Sequence, residues 1–324
     1  MPRRLSFFPK ELKRWKDSKA RWICLFEITI RCQHGRKLLL PTERLTELLL
    51  GVLGRAQELY DFEIYVYAYL SNHGSIVIGA RSPEHRSNIM NYIHGNIALE
   101  LGREENSDWP DHFYECRGRA IPIMTDEDAE ERLEYQLSNS TKENLVLRPI
   151  LWPGAHAARA LCSGKNDVGR WIDHTRLSYL NRHKKEDKQV PEEEASNYYE
   201  VKLSKLPHLR NKTGEEYRQY IRRMCKKIAT EAAKERKQSG AKVMGVKKVL
   251  SAHPHDRPEK LSKSPAPPVH CKDKKLRKWF EKAYRAFAAA YREAHAALRE
   301  GIDTFQFPEG GILPGYVFTC IDTG

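Results

Sequence analysis

Two residues near the middle of the chain, Tyr135 and Asn139, could do chemistry together. If this segment is helical, at about 100° per residue, Ala129, Leu133 and Leu137 share an arc of about 80°, with Tyr135 about 200° from Leu133. Asn139 lies about 40° from Tyr135, one turn further along the same face. A phenol presented in this way can act as a nucleophile, and a neighbouring amide can hold a metal ion or a phosphate oxygen. Without other evidence, the same pattern favours an ordinary surface or interface tyrosine.

A strand–turn–strand segment supplies the second group of candidates. Residues 62–70 (FEIYVYAYL) and 75–80 (SIVIGA) read as strands, and the polar break Ser71-Asn72-His73-Gly74 suits a tight hairpin turn. His73 and Ser75 are two residues apart, so on a strand their side chains point to one face. The simpler interpretation of His73 is a turn residue that caps the hairpin.

The elements that must position these residues follow the order β-α-β-β-α-β-α. The first six are those of a ferredoxin-like or RRM-like antiparallel sheet with helices on one face, which places the chain in the α+β class. The strands are predicted at residues 21–32, 62–70, 75–80 and about 113–123, and the helices at about 43–59, 82–101 and 126–138.

The positive charge is concentrated in the C-terminal half. The net charge is +13, and residues 201–300 contain 27 basic and 10 acidic side chains. Long basic helices are predicted at residues 215–240 and 275–299, with a helix within 168–182, a charged linker at 184–196 and a proline-rich linker at 251–269. We therefore expect a basic leader (1–20), a sheet domain (21–155), a basic, mainly α-helical extension (156–250), a proline-rich linker (251–270) and a C-terminal helix with an irregular tail (271–324). Such a distribution favours a polyanionic partner, most simply nucleic acid.

Composition also argues against several classes of protein. No run of apolar residues approaches the roughly 18 that a membrane span needs, and the basic N-terminus lacks the apolar core of a secretory signal. The seven cysteines are scattered without a CxxC pair, which favours a reducing compartment. We expect a cytoplasmic, nucleoid-associated protein without a membrane partner.

Several segments taken together resemble one family, the REP-associated tyrosine transposases, which are single-tyrosine HUH transposases. Residues 20–155 carry the resemblance in register, and residues 243–249, 264–268 and 307–310 carry it more loosely. The segments that carry the resemblance are Phe26-Glu-Ile-Thr-Ile-Arg-Cys-Gln-His-Gly-Arg36 with Leu38-Leu-Leu-Pro41, Tyr69-Leu-Ser-Asn-His73, and Tyr135-x-x-x-Asn139 with Asn144-Leu-Val.

The resemblance implies a chemistry for these residues. Tyr135 would be the nucleophile that nicks and rejoins hairpin-forming single-stranded DNA through a 5′-phosphotyrosine, with His73 and Asn139 as ligands of Mg²⁺ or Mn²⁺. The family motif is His-hydrophobe-His, whereas this chain has His73-Gly74-Ser75, so Ser75 would be a weak second ligand. Glu27 or His34 could compensate for the missing imidazole.

Two functional hypotheses therefore remain open, with a third behind them. The first is a DNA-nicking transposase, and the second is a catalytically inactive, domesticated relative that binds DNA or RNA hairpins within a larger nucleoprotein or defence complex. The third is an unrelated RRM-like protein that stacks RNA bases on Tyr65, Tyr67 and Tyr69. A homodimer is compatible with the first two. The candidate nucleic-acid contacts are Arg3, Arg4, Lys13, Arg14, Arg31, Arg36, Arg117, Arg119, Arg222, Arg223, Lys226, Lys227, Lys274, Lys275, Arg277 and Lys278.

Overall fold

An antiparallel sheet forms the centre of the molecule in a computed structural model that describes residues 7, 12, 15–103, 112–183, 189–257, 267–302 and 305–309. Strands β2, β3, β4 and β5 lie side by side in the order β5-β2-β4-β3, and the short β1 pairs with the start of β2. The strand bounds are β1 Trp15–Lys16, β2 Trp22–Arg31, β3 Glu63–Leu70, β4 His73–Ala80, β5 Arg119–Ile123, β6 Asp167–Ile172 and β7 Ser196–Val201.

Helices cover both faces of this sheet. Arg86 of α2 lies over the Phe26 ring, 4.6 Å from its centroid, whereas Gln136 of α3 contacts Ser75. Neighbouring residues of a strand point to opposite faces, so these contacts place α2 and α3 on opposite sides. The helix bounds are α1 Glu43–Tyr60, α2 Pro83–Gly102, α3 Asp126–Lys142, α4 Ala158–Ser163, α5 His174–His183, α6 Gly214–Ser239, α7 Val246–Leu250 and α8 Lys274–Arg299.

The longer helices begin where the sequence supplies hydrogen-bonding caps. Thr125 and Asp128 form a reciprocal capping box at the start of α3, and Thr213 and Glu216 form another at the start of α6. These caps satisfy backbone N–H groups that have no partner in the first turn of a helix. The predicted basic helices at 215–240 and 275–299 agree with α6 and α8 within one residue at each end.

The predicted helix within residues 168–182 is wrong at its start. Residues 167–172 form β6, which pairs with β7, and only α5 beyond it is helical. The β6–β7 ribbon lies against α1, with Gly169 packed on Gly51. Tertiary contact selects the strand here, although the local sequence is compatible with a helix.

The predicted linkers are only partly irregular. Residues 184–188 and 258–266 lie outside the described residues, but β7 begins at Ser196, and His270 bridges to Ile123 of β5. One apolar core reaches from Leu12 to Phe280, so the extension packs on the sheet domain. None of the helices described here is long and apolar enough to cross a membrane.

The aromatic side chains of β3 are buried, which contradicts the RRM-like hypothesis that they stack on RNA bases. Tyr65 and Tyr67 are fully buried and Tyr69 is 2% exposed. The Tyr65 hydroxyl donates a hydrogen bond to Glu63, and the Tyr67 hydroxyl donates one to Asp167. These rings belong to the core, because strand β3 is covered on both faces, and they are not available for stacking on RNA bases.

The close approach of α1 and β6 gives a first prediction. A Cβ added at Gly51 would overlap the carbonyl oxygen of Arg170, whereas a Cβ added at Gly95 in α2 would meet nothing within 4 Å. We expect Gly51→Ala to lower the free energy of unfolding by about 2–3 kcal/mol through overpacking. Gly95→Ala should leave it unchanged or raise it by up to about 1 kcal/mol, because alanine is the better helix former. Urea denaturation of both variants checks this, and equal effects would contradict the close packing.

Candidate functional site

The register of β2 and β4 brings the predicted strand residues to one face of the sheet. Thr29 pairs with Ser75, and Arg31 pairs with His73, so these four side chains share that face. Glu27 lies on the same face, two residues before Thr29. This is the face that α3 covers, as the contact between Gln136 and Ser75 shows.

Ser75 is part of a buried hydrogen-bonded group. Its hydroxyl donates to Glu27 Oε1 at 3.1 Å, while the Gln136 side-chain amide donates to Ser75 Oγ at 2.8 Å and to Glu27 Oε1 at 3.2 Å. Ser75 and Glu27 are each 3% exposed, and Gln136 is fully buried. Of the two residues named as compensating for the missing imidazole, Glu27 contacts Ser75, whereas His34 lies exposed in a short 3₁₀ turn.

The second oxygen of Glu27 faces His270 and Arg132. His270 Nε2 lies 2.5 Å from Glu27 Oε2, and Arg132 of α3 lies 4.0 Å from the same oxygen. His270 reaches this position because its backbone extends the edge of β5: its N–H donates to Pro122 O at 2.9 Å, and its C=O accepts from the Met124 N–H at 3.2 Å. We call Glu27, Ser75, Gln136, His270 and Arg132 the Glu27 network.

The charge of Glu27 is stabilised within this network. Burial alone would raise the pKa of Glu27, but the hydrogen bond and charge of His270, the charge of Arg132 and the Gln136 amide together lower the pKa below its usual value. The carboxylate is therefore ionised at neutral pH. A buried carboxylate of this kind requires its partners in place, since an unpaired charge in the core is strongly destabilising.

His73, the predicted first metal ligand, opens β4. Its Nδ1 lies 2.7 Å from Asn72 Oδ1 and donates to that oxygen. Burial and the nearby Arg31 lower the pKa of His73 to about 4, so the ring is neutral at pH 7. A neutral imidazole with a free Nε2 has the chemistry of a metal ligand. However, the described residues contain no group of three or more His, Cys, Asp or Glu side chains arranged to hold a metal ion.

Tyr135 lies in a cleft between α3 and α6. The cleft has a volume of about 280 Å³ and is lined by four carboxylates and two cations: Glu131, Glu134, Glu231, Glu235, Arg132 and Lys142. The Tyr135 ring contacts both cations, with its centroid 4.7 Å from Arg132 and 5.4 Å from Lys142. Burial and then the negative charge of Glu27 raise the pKa of Tyr135, so its phenol is protonated at neutral pH.

The predicted catalytic set is only partly brought together. As expected, Tyr135 is off the apolar stripe of α3: it is 40% exposed, whereas Leu133 and Leu137 are fully buried. Asn139, one turn further along, is 5% exposed. In the part of the chain that the structure describes, no hydrogen bond links any two of Tyr135, Asn139, His73 and Ser75.

The predicted nucleic-acid contacts fall into three groups. Five have a named partner: Arg31 with Glu115 at 4.0 Å, Arg36 with His255 at 3.4 Å, Arg222 with Glu215 at 3.3 Å, Lys227 with Glu134 at 2.7 Å and Arg277 with Glu281 at 4.0 Å. Seven others are exposed, as are Arg222, Lys227 and Arg277: Arg117, Arg119, Arg223, Lys226, Lys274, Lys275 and Lys278. Arg3, Arg4, Lys13 and Arg14 lie outside the described residues.

Helix α8 carries a mainly basic face. Six exposed cations fall within an arc of about 100°, which also includes Glu281, the partner of Arg277. On the opposite side of α8, Phe280, Phe287 and Tyr291 are buried. Over residues 15–103, 112–183, 189–257 and 267–302, no carboxylate forms an ion pair with any of the six cations. We call them the α8 stripe: Lys274, Lys278, Lys282, Arg285, Arg292 and Arg299.

Sequence reasoning missed three members of the Glu27 network. Arg132 and Gln136 flank the candidate tyrosine without an assigned role, and His270 lacks the paired ligand spacing that would mark it as a zinc ligand. Helical spacing gives one available signal, since Arg132 and Gln136 are four residues apart on one face of α3. No local signal connects His270 to Glu27, because the two residues are distant in the sequence.

The Glu27 network gives a second prediction. Because the folded-state pKa of Glu27 is lowered, its stabilising contribution is present above pH 4.5 and is lost as the pH falls through the folded-state pKa. We expect Glu27→Gln to lower the free energy of unfolding at pH 7 by about 1–3 kcal/mol and to weaken its dependence on acid pH. Denaturation between about pH 3 and pH 7 measures both effects.

Glu131 gives a matched control, because it pairs with the same Arg132 that faces Glu27. Glu131 lies 3.0 Å from Arg132 and 3.1 Å from Lys272, but its side chain is 40% exposed. Solvent screens such a pair, so Glu131→Gln should cost at most about 0.5 kcal/mol. Equal losses for the two variants would mean that Glu27 is not a buried, paired charge.

Comparison with solved structures finds several similar chains. One of them is described as the REP-associated tyrosine transposase bound to a REP hairpin, and the likeness covers 49% of this chain and 86% of that one, with 14% sequence identity and a TM-score of 0.38. No protein-family model matches the chain, and no curated protein matches it. The likeness is therefore distant, and it decides neither the activity nor the ligand of this chain.

Proposed function

We propose that the protein binds hairpin-forming single-stranded DNA through the α8 stripe and the neighbouring exposed cations, and leaves the DNA uncut. The single observation that carries the binding proposal is the α8 stripe itself. Six cations without a carboxylate partner in the described part of the chain form a surface that attracts phosphates by releasing their counterions.

The length of the stripe suits the stem of a hairpin. Residues Lys274 to Arg299 span about 37 Å along the helix axis, at about 1.5 Å per residue. One turn of B-form duplex rises about 34–36 Å. A folded hairpin with a stem of about ten base pairs would place phosphates along the whole stripe, whereas a shorter stem would leave part of it unused.

The sheet supports the choice of DNA hairpins among polyanions. The strand order β5-β2-β4-β3, with two helices in the connections, supports the ferredoxin-like sheet expected from the sequence. In sequence, this part of the chain resembles the HUH domain of REP-associated tyrosine transposases. The candidate metal position would then lie at His73 and Ser75, on the face that α3 covers.

The donor set at that position does not fit a catalytic metal. Ser75 supplies a neutral hydroxyl where the family motif has an imidazole, and this hydroxyl is already hydrogen-bonded to Glu27 and Gln136. The charge of Glu27 is balanced by His270 and Arg132, so no cation is required to neutralise it. These contacts favour the inactive, domesticated hypothesis over the nicking one.

The surroundings of Tyr135 favour the same conclusion. The four carboxylates that line the Tyr135 cleft are matched by Arg132, Lys142, Lys227 and Lys272, so these groups leave no excess of positive charge for a DNA phosphate. A tyrosine whose pKa is raised is also a poorer nucleophile at neutral pH, because less of its phenolate is present.

A third prediction tests the binding surface. Reversing three cations of the α8 stripe together (Lys274→Glu, Lys278→Glu and Lys282→Glu) should weaken binding to a DNA hairpin with a stem of about ten base pairs by about 100-fold at low salt. The slope of log K against log salt should fall by about one for each phosphate that the protein no longer neutralises. Fluorescence anisotropy with a labelled hairpin over a salt series measures both quantities.

The matched control reverses three exposed cations on other elements. These are Lys165→Glu, Arg176→Glu and Lys202→Glu, which make the same change in net charge. At about 0.15 M salt this control should bind within about threefold of wild type, since charge beyond about 8 Å is then largely screened. Equal weakening in both triple variants would remove the α8 stripe as the binding surface, and tighter binding of an RNA hairpin of the same sequence would overturn the assignment to DNA.

A fourth prediction tests cleavage. With Mn²⁺ or Mg²⁺ and an end-labelled DNA hairpin carrying single-stranded flanks, we expect no covalent protein–DNA product on a denaturing gel. Tyr135→Phe should bind the hairpin as tightly as wild type. A covalent product that is absent in Tyr135→Phe would instead show an active tyrosine transposase.

A further inference from the structure

Two thiols face each other across the contact between α4 and α6. Cys162 Sγ and Cys225 Sγ lie 3.9 Å apart, and both cysteines are free. Cys225 is 8% exposed, and Cys162 is half-buried, so a small solute can reach Cys162 first. The residues are 63 apart in the sequence, one in the short helix α4 and the other in the long basic helix α6.

The surroundings of Cys162 favour its thiolate. The hydrogen bond with Cys225 lowers the pKa of Cys162, and the charge of Arg222 adds to this, against the opposing effect of burial. Arg222 is held beside it, because its Nε donates to the Cys162 carbonyl oxygen at 3.0 Å. By contrast, burial raises the pKa of Cys32 to about 12 and raises that of Cys271. The thiolate is the reactive form of cysteine, so these thiols differ in reactivity.

We propose that Cys162 and Cys225 form an oxidation site for hydroperoxides, which closes a reversible disulfide between α4 and α6. This site is independent of the proposed DNA binding. The Cys162 thiolate attacks the peroxide oxygen, giving a sulfenic acid and releasing hydroxide or alkoxide. The Cys225 thiol then attacks the sulfenic sulfur, forming the S–S bond and releasing water, so one peroxide is reduced and two thiols are oxidised.

The geometry needs only a small change. A disulfide has an S–S distance of about 2.05 Å, so the two sulfurs must approach by about 1.9 Å. Side-chain rotation, with a small shift of the six-residue helix α4, can supply this movement. Once formed, the bond would tie α6, which carries Arg222, Arg223 and Lys226, covalently to α4.

The test oxidises the full-length protein with a stoichiometric amount of hydrogen peroxide. A Cys116→Ser, Cys320→Ser background removes an exposed thiol and one that lies outside the described residues. Intact mass should fall by about 2 Da, a reductant should restore it, and a peptide joining Cys162 to Cys225 should appear on digestion. The oxidised form should unfold at a higher urea concentration than the reduced form, because the bond restricts the unfolded chain.

Variants separate the two steps. In Cys225→Ser, a sulfenic acid should form on Cys162 and react with a cyclic diketone probe, whereas Cys162→Ser should form no adduct. Arg222→Ala should slow oxidation severalfold, while the neighbouring exposed Arg223→Ala should not. An unchanged mass, a disulfide between other cysteines, or equal oxidation rates in the two arginine variants would each overturn the proposal.

Discussion

One buried negative charge ties the parts of this molecule together. Glu27 lies in the central strand β2 at 3% exposure, and removing a carboxylate from water is costly unless opposite charges and hydrogen-bond donors replace it. Its partners come from three other elements: Ser75 from β4, Gln136 and Arg132 from α3, and His270 from the segment that follows the proline-rich stretch. Helix α3 and the segment that returns to the edge of β5 therefore both contact this charge.

The two long helices are both amphipathic, with one apolar and one basic face. Helix α6 buries Tyr217, Ile221 and Ile228 against the core while exposing Arg223 and Lys226. Helix α8 divides in the same way between its aromatic side and the α8 stripe. A basic segment of this composition would stay solvated by itself, so its order comes from the apolar stripe and from the attachment of residue 270 to β5. The cationic surface is therefore presented by a packed scaffold.

Much of this architecture could be predicted from local sequence. The element order from β2 to α3, both long basic helices and the outward position of Tyr135 follow from periodicity, and periodicity reports which face of an element is buried. It does not report partners that are distant in sequence. The strand at 167–172 was missed because its pairing with β7 and its contact with Gly51 are long-range, and His270 was missed because nothing near it points to Glu27. The site therefore differs from its prediction where tertiary contacts decide the structure.

The retained tyrosine is explained by this network without a catalytic role. The Tyr135 ring contacts Arg132, and Arg132 in turn faces Glu27 Oε2 and pairs with Glu131. A cation–π contact of this kind holds the guanidinium on the sheet side of α3, where it helps to balance the buried carboxylate. An aromatic ring at position 135 thus supports the arginine that faces Glu27, whether or not its hydroxyl ever reacts. Phenylalanine would satisfy the same contact, so a tyrosine at this position is not by itself evidence for DNA cleavage.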